Sequence, residues 1–529
     1  MNMRNYIKYI GILALGMVAC EPEFDNPIDE QEAYNNGEAD FSNYVALGNS
    51  LTAGYADNAL YITGQENSYP NILAQQFAKV QETEEFRIPY MADNAGGLLF
   101  GGQPNPNFRN RLVLSIIDGD TLPRVYTGMA PTTEVANSLT GPFNNMGVPG
   151  ARSYHLLAPG YGNIQGLSTD PATANPYFVR FASAPGTTVV ADAVAQNPTF
   201  FSLWIGNNDV LGYATAGGVD ENEITSLVMF QGVYSTIVNS LLESGATGGV
   251  LINIPNVTDV PFFTYIPTSP LDPTNPQYGP QIPTLNQTFA LLNPALLALR
   301  GVKEETPGES EFSIEFNPAG ASPVIVRDES LTDISQQLKG VLQQNGYDEA
   351  TASIYASQFG QVRQATSEDL IPLTSSSAIG TLNQERFQEL VEMGLPQSQA
   401  GLLATNGITY PLEDQYVLTP SEQEKISSRT QEFNEHIKNV AEQNDLAYVD
   451  AAGLLSKVAT EGISFDAGNV TSDFVRGGAF SLDGIHLTPR GYALVANEII
   501  EEINATYNSE VPTVNVGNYG TVTPSNEVN

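Results

Sequence analysis

Apolar positions along the chain fall into two rhythms that alternate. Tyr44-Val45-Ala46-Leu47 is an unbroken apolar run that stops at Gly48, and Ser50 sits in the turn before Leu51-Thr52-Ala53-Gly54. This pattern predicts a strand, a turn and a helix in succession. Thr199 to Ile205 is a second apolar run, ended by Gly206-Asn207-Asn208-Asp209. Between Glu223 and Leu242, Val228, Tyr234, Ile237 and Leu241 recur near helical spacing, and Gly248 to Ile254 gives another strand broken at Pro255. Late in the chain Ser421 to Ala441 reads as a polar-rich helix and Leu446 to Asp450 as a buried strand. The last helix is the most strongly marked. Thr488 can cap it, Pro489 suits its first turn, and Tyr492, Val495, Ala496, Ile499, Ile500 and Ile503 form one apolar face. Strands alternating with helices predict an α/β fold, a three-layer α/β/α sandwich around a mostly parallel sheet.

Two stretches depart from that rhythm and read as large loop insertions. One lies at about 60–140 and is rich in Asn, Gly and Pro. The other, 261–415, opens on a proline-dense segment and then shows helical patterns at Leu285 to Leu299 and Leu331 to Leu342, long enough for an inserted subdomain. The helix carrying Phe289, Leu291, Leu292, Leu296 and Leu297 is read as packing that insert's own core, with a lid over an acyl pocket as the other reading. The main domain then comprises 41–260 and 416–510, and 511–529 form an irregular C-terminal tail.

Charge narrows the partners. The chain has 529 residues, with 21 Lys and Arg against 59 Asp and Glu, and its formal net charge of -38 repels nucleic-acid phosphates. Nucleic acid is not an expected partner. The lone cysteine, Cys20, rules out an intramolecular disulfide. Arg4 and Lys8 precede the apolar run Tyr9 to Ala19, whose helical rise of roughly 16 Å is too short to span a membrane. Residues 1–19 resemble a bacterial lipoprotein signal peptide, which implies cleavage before Cys20 and lipidation there. An acidic tether, 20–40, follows. Its composition resembles the surface-export signals of Bacteroidota lipoproteins, and a plain solvated linker is an equal reading. The expected location is the bacterial cell envelope, as an outer-membrane lipoprotein on either face.

A serine hydrolase needs a base for the hydroxyl proton, a group that holds the base in one tautomer, and donors for the oxyanion. Of the three histidines, His155, His436 and His486, only His486 has a carboxylate three residues before it, in Asp483-Gly484-Ile485-His486. Gly48-Asn49-Ser50-Leu51, Gly147-Val148-Pro149-Gly150, Gly206-Asn207-Asn208-Asp209 and the Asp483 to His486 turn occur in the order of the conserved blocks of the SGNH (GDSL-type) hydrolases, which the chain resembles. Pro411 to Leu418 is similar to a phrase of Bacteroidota lipoproteins of that family. The spacing around Ser50 differs from the Gly-x-Ser-x-Gly elbow of α/β-hydrolases.

The resemblance implies Ser50 as nucleophile, His486 as base and Asp483 as its orienter. It implies an oxyanion hole of the Ser50 and Gly150 backbone N–H groups and the Asn208 side chain. Asn49 departs from the family's usual Asp, which implies altered local hydrogen bonding. Asp209 is expected to hold its turn and Trp204 to be strand core. No cofactor and no metal are implied. The expected activity is hydrolysis of a carboxylic ester, lipid acyl or glycan O-acetyl, through an acyl-serine intermediate. The competing reading is a lipid-anchored binding protein that kept the fold and lost the reaction.

Overall fold

In the computed structural model, residues 34–528 are described apart from 118, 304–309 and 466–467. Five strands make the central sheet: β1 (Tyr44–Gly48), β2 (Asn145–Gly147), β3 (Phe200–Trp204), β4 (Gly248–Ile252) and β5 (Ala447–Val449). They lie in the order β5-β4-β3-β1-β2, and every pairing is parallel. Alternate side chains enter two separate cores. Val45, Leu47, Phe201, Leu203 and Leu251 join one, while Tyr44, Ala46, Phe200, Trp204 and Val250 join the other. Both faces are therefore covered, as a parallel sheet requires, and this is why β1, β3, β4 and β5 read as apolar runs. The short β2, Asn145-Met146-Gly147, does not, and the sequence reading missed it.

The helices that set the packing and the site are α1 (Ser50–Ala53), α2 (Tyr69–Val80), α3 (Asn208–Thr215), α4 (Leu227–Glu243), α5 (Ile282–Arg300), α6 (Pro420–Gln443), α7 (Ala451–Thr460) and α8 (Pro489–Tyr507). Tyr69, Ile72, Leu73 and Phe77 of α2 cover one face together with the apolar stripe of α8. On the other face α4 and α6 meet through Phe230 and Phe433, whose rings stack with centroids 3.9 Å apart. A helical layer against each face accords with a three-layer sandwich. The Thr488 side chain accepts from the Gly491 N–H and caps α8 as the sequence predicts.

Three boundaries shift. The stretch 60–140 is not all insertion, because α2 within it is a core helix of the sandwich. Its composition hides this: only four apolar anchors of one helix carry the packing. The tail after residue 511 holds only a 3-10 turn, Val516–Asn518, and isolated bridges among its described residues, but it is not loose. Val511 and Val516 are buried, and Leu114 of the hairpin 112–125 exchanges backbone hydrogen bonds with Thr523 and Ser525. The end of the tether is docked as well, with the Glu38 N–H donating to the Tyr507 carbonyl and Ala39 buried. Residues 1–33, with Cys20 and the expected signal peptide 1–19, lie outside the described residues.

The insert 261–415 has a core of its own. Leu285, Phe289, Leu292 and Leu296 of α5 pack there against Leu338, Leu342 and Phe359, while Leu291 faces solvent, so α5 is a core helix of the insert. The second helix of the insert starts at Ser335 rather than Leu331, because Asp333 turns the chain by accepting from the Ser335 N–H.

Candidate active site

The strand order sets the place. From β1 the chain crosses to β2 on one side, and β3 then pairs on the other side of β1, so a crevice opens beyond the carboxyl ends of β1 and β3. Ser50 follows β1 and Asn208 follows β3. The turn after β2 brings Gly150 to the same end, tied there by the Val148 N–H, which donates to the Gly48 carbonyl over 3.0 Å. Gly150 has φ +80°, a conformation that a side chain resists, although nothing crowds the place a Cβ would take.

His486 comes from the turn before α8, 436 residues along the chain, and stands 2.8 Å from the Ser50 hydroxyl through Nε2. Its Nδ1 lies 2.9 Å from the Asp483 Oδ2. The Asp483 carboxylate is the fixed point of the group. Its Oδ1 accepts from the backbone N–H groups of Ile485 and His486 at 2.9 and 2.8 Å and from the Ser481 hydroxyl at 3.1 Å. Its Oδ2 also accepts from the Asn58 N–H at 2.8 Å. Burial alone would push this carboxyl up. The neighbouring His486 and the backbone donors outweigh burial and hold it well below the usual carboxylate range. Gly484 closes the turn at φ +72°, and a Cβ there would come within 2.9 Å of the Phe262 nitrogen, whose N–H donates to the Gly484 carbonyl.

The oxyanion candidates are joined through one contact. The Asn208 Nδ2 donates to the carbonyl of Ala151, the residue after Gly150, at 2.8 Å, and its second amide hydrogen remains for a ligand. Asp209 braces the arrangement from below, accepting from the Ser153 N–H and hydroxyl at 2.8 and 2.6 Å, with burial raising its carboxyl. It holds its turn, as the sequence predicts. Asn49 accepts from the Leu51 N–H at 3.0 Å and donates to the Asn207 Oδ1 at 3.2 Å, which ties the turn after β1 to the turn after β3. The donated bond is one that a carboxylate cannot make.

The other histidines stand apart from this group. His155 accepts from the Arg152 N–H at Nδ1 and stacks on Tyr161, and burial with the Arg152 charge pushes it down to about 4. His436 meets the Ser235 hydroxyl at 3.1 Å. Trp204 is buried strand core and donates to the Asn253 carbonyl.

Sequence reasoning missed the segment that supports Asp483 from the far side. Asp57 and Asn58 both have positive φ, 53° and 62°, and this bend presents the Asp57 N–H to Ser481 and the Asn58 N–H to Asp483. The Asp57 carboxylate accepts in turn from the Leu482 N–H and the Tyr61 hydroxyl. Burial raises this carboxyl to about 6, against the pull of those donors, and the nearby Asp483 charge adds to the rise. An Asp-Asn pair is the non-glycine sequence best suited to such a bend, and that was the available signal. Tyr55, two residues earlier, lays its ring 4.6 Å from that of His486. No family model, curated protein or solved structure matches this chain.

Proposed function

We propose that this chain is a serine ester hydrolase of the SGNH type, acting through an acyl-serine intermediate. The observation that carries the reading is the unbroken relay from the Ser50 hydroxyl through His486 to the buried Asp483 carboxylate, at 2.8 and 2.9 Å. His486 Nε2 takes the Ser50 proton as Oγ attacks the ester carbonyl carbon. The carbonyl oxygen becomes an oxyanion, held by the Ser50 and Gly150 N–H groups and the Asn208 amide. His486 then returns the proton to the departing alcohol, and water repeats the sequence on the acyl-serine. Asp483 stays ionised throughout and fixes the tautomer.

Turnover of p-nitrophenyl esters by the chain lacking residues 1–20, compared with Ser50→Ala, tests this. Loss of activity in Ser50→Ala is the expected result, and equal turnover by both proteins refutes it. The chain is further proposed to be an outer-membrane lipoprotein of the cell envelope, lipidated at Cys20 after removal of residues 1–19. Mass spectrometry of the membrane-derived N-terminal peptide checks that, and an unmodified Cys20 overturns it.

A further inference from the structure

A cavity of about 90 Å³ opens directly beside Ser50 and His486. Its polar lining is confined to the end with the reactive groups, namely Asn49, Ser50, Asn207, Asn208 and His486. The rest is apolar and bears no charged side chain, although the chain as a whole carries a net charge of -38. Leu454, Leu455 and Val458 of α7 form one wall, Leu494 and Val495 of α8 another, and Val257 with Val260 close the side where the insert departs. Leu211, Ile485, Leu487 and Leu494 are left only partly buried there, although each packs against the core. Apolar surface kept open next to a nucleophile is surface that a ligand can cover.

We infer that this cavity seats the acyl chain of the substrate, which makes the substrate class an ester of a medium-chain fatty acid rather than an O-acetyl group. The inference rests on the ester-hydrolase reading. The acyl group stays bonded to Ser50 after the alcohol departs and while water enters, so the walled apolar space suits the part that remains. The alcohol has to exchange with solvent and is served by the open side. One water-sized group needs roughly 10–15 Å³, so 90 Å³ corresponds to a file of on the order of six to nine such groups. An acetyl methyl would leave most of that file uncovered.

The test uses the soluble chain and p-nitrophenyl esters from acetate through butyrate, hexanoate and octanoate to palmitate. The expected kcat/KM rises by up to about fourfold per methylene, the equivalent of ~0.8 kcal/mol, to a maximum near hexanoate or octanoate, and falls for palmitate. A parallel series of n-alkyl acetates is expected to show no such rise. Val458→Phe and, independently, Leu494→Phe should lower the octanoate-to-butyrate ratio at least tenfold, and two sites guard against one variant failing to fold. Displacement of a fluorescent fatty acid from Ser50→Ala by octanoate gives a readout free of catalysis. Preference for acetate without displacement overturns the acyl cavity and leaves the hydrolase reading standing. A rise along the alkyl acetates instead assigns the cavity to the alcohol and also overturns the inference. Displacement with no turnover of any ester supports the cavity and removes the hydrolase reading.

Discussion

Replacing Asp483 with Asn keeps the shape of the side chain, removes its charge and turns one accepting oxygen into a donor. Five donors surround the carboxylate: His486 Nδ1, the N–H groups of Ile485, His486 and Asn58, and the Ser481 hydroxyl. An amide has one oxygen, so its NH₂ must face some of those donors whichever way it turns. The orientation that keeps the Ile485, His486 and Ser481 donors on Oδ1 points NH₂ at His486 Nδ1 and at the Asn58 N–H. The imidazole then accepts at Nδ1 and carries its proton on Nε2, where the Ser50 hydroxyl 2.8 Å away cannot hand over its own. Two charge-assisted bonds are lost at about 1.5–3 kcal/mol each, or roughly 3–6 kcal/mol in sum. At a factor of ten per ~1.4 kcal/mol this is a fall of about 10²–10⁴ in kcat/KM. The equivalent change in a serine protease triad costs ~10⁴, at the upper end of that range. The assay is kcat/KM for a p-nitrophenyl ester between pH 6 and 9, with a thermal melt to show that the variant is folded. A folded Asp483→Asn protein within tenfold of wild type would falsify the tautomer argument.

Three further outcomes are expected from the same geometry. Ser50→Ala and His486→Ala should each abolish ester turnover, and the double variant should be no worse than either, because the pair acts as a unit; His436→Asn, away from the relay, should retain wild-type kcat. Asn208→Ala should lower kcat by about 10²–10³ with little change in KM, as loss of one oxyanion donor does, and an unchanged kcat removes Asn208 from that role. Asp57 is protonated up to about pH 6 in the fold but only to about 3.9 when unfolded. The folded state therefore holds the extra proton, and wild-type stability should decline by roughly 3 kcal/mol between about pH 3 and 7 from this group. Asp57→Asn tolerates the same bend and lacks that decline, so chemical denaturation across the two pH values should show the variant gaining on wild type by about that amount.

How much of this was legible in sequence depends on the range over which each signal acts. Strands buried on both faces write themselves as apolar runs, and the Thr488-Pro489 start of α8 is a local signal, so β1, β3, β4, β5 and the last helix could be read directly, whereas β2, Asn145-Met146-Gly147, has a single apolar side chain and shows no run. Asp483 and His486 were legible from their three-residue spacing across a glycine turn, and Ser50 and Asn208 because their short glycine and Asn turns resemble the SGNH blocks. The position of α2 was not, since its region is dominated by Asn, Gly and Pro and its burial is decided by packing against α8. The Asp57–Asn58 support and the cavity were equally hidden. Both depend on contacts hundreds of residues apart, between 57 and 481 or between 50 and 494, and no window along the chain contains them.

The insert 261–415 is tied physically to both halves of the site. The chain leaves β4 and contributes Val257 and Val260 to the cavity wall, and the next turn, Pro261–Thr264, rests its Phe262 N–H on the Gly484 carbonyl. Gly484 lies between Asp483 and His486, so the root of the insert touches the turn that orients His486. The insert then closes on its own core and returns through Leu418, which pairs with Leu370 and enters the main core before α6. A change in the length or packing of the junction 257–264, where the insert leaves the main domain, should therefore act on two things together, the width of the cavity and the orientation of His486. Substitutions at Val257 or Val260 meant to alter chain-length preference should shift KM and kcat jointly. Those at Leu454 or Val458, on the cavity wall but in a helix that is not hydrogen-bonded to the Gly484 turn, should act mainly on preference. An insert with a separate core can in this way lie apart from the Ser50–His486 group and still bear on it, because the junction 257–262 meets that group at two points, the cavity wall through Val257 and Val260 and the Gly484 carbonyl through the Phe262 N–H.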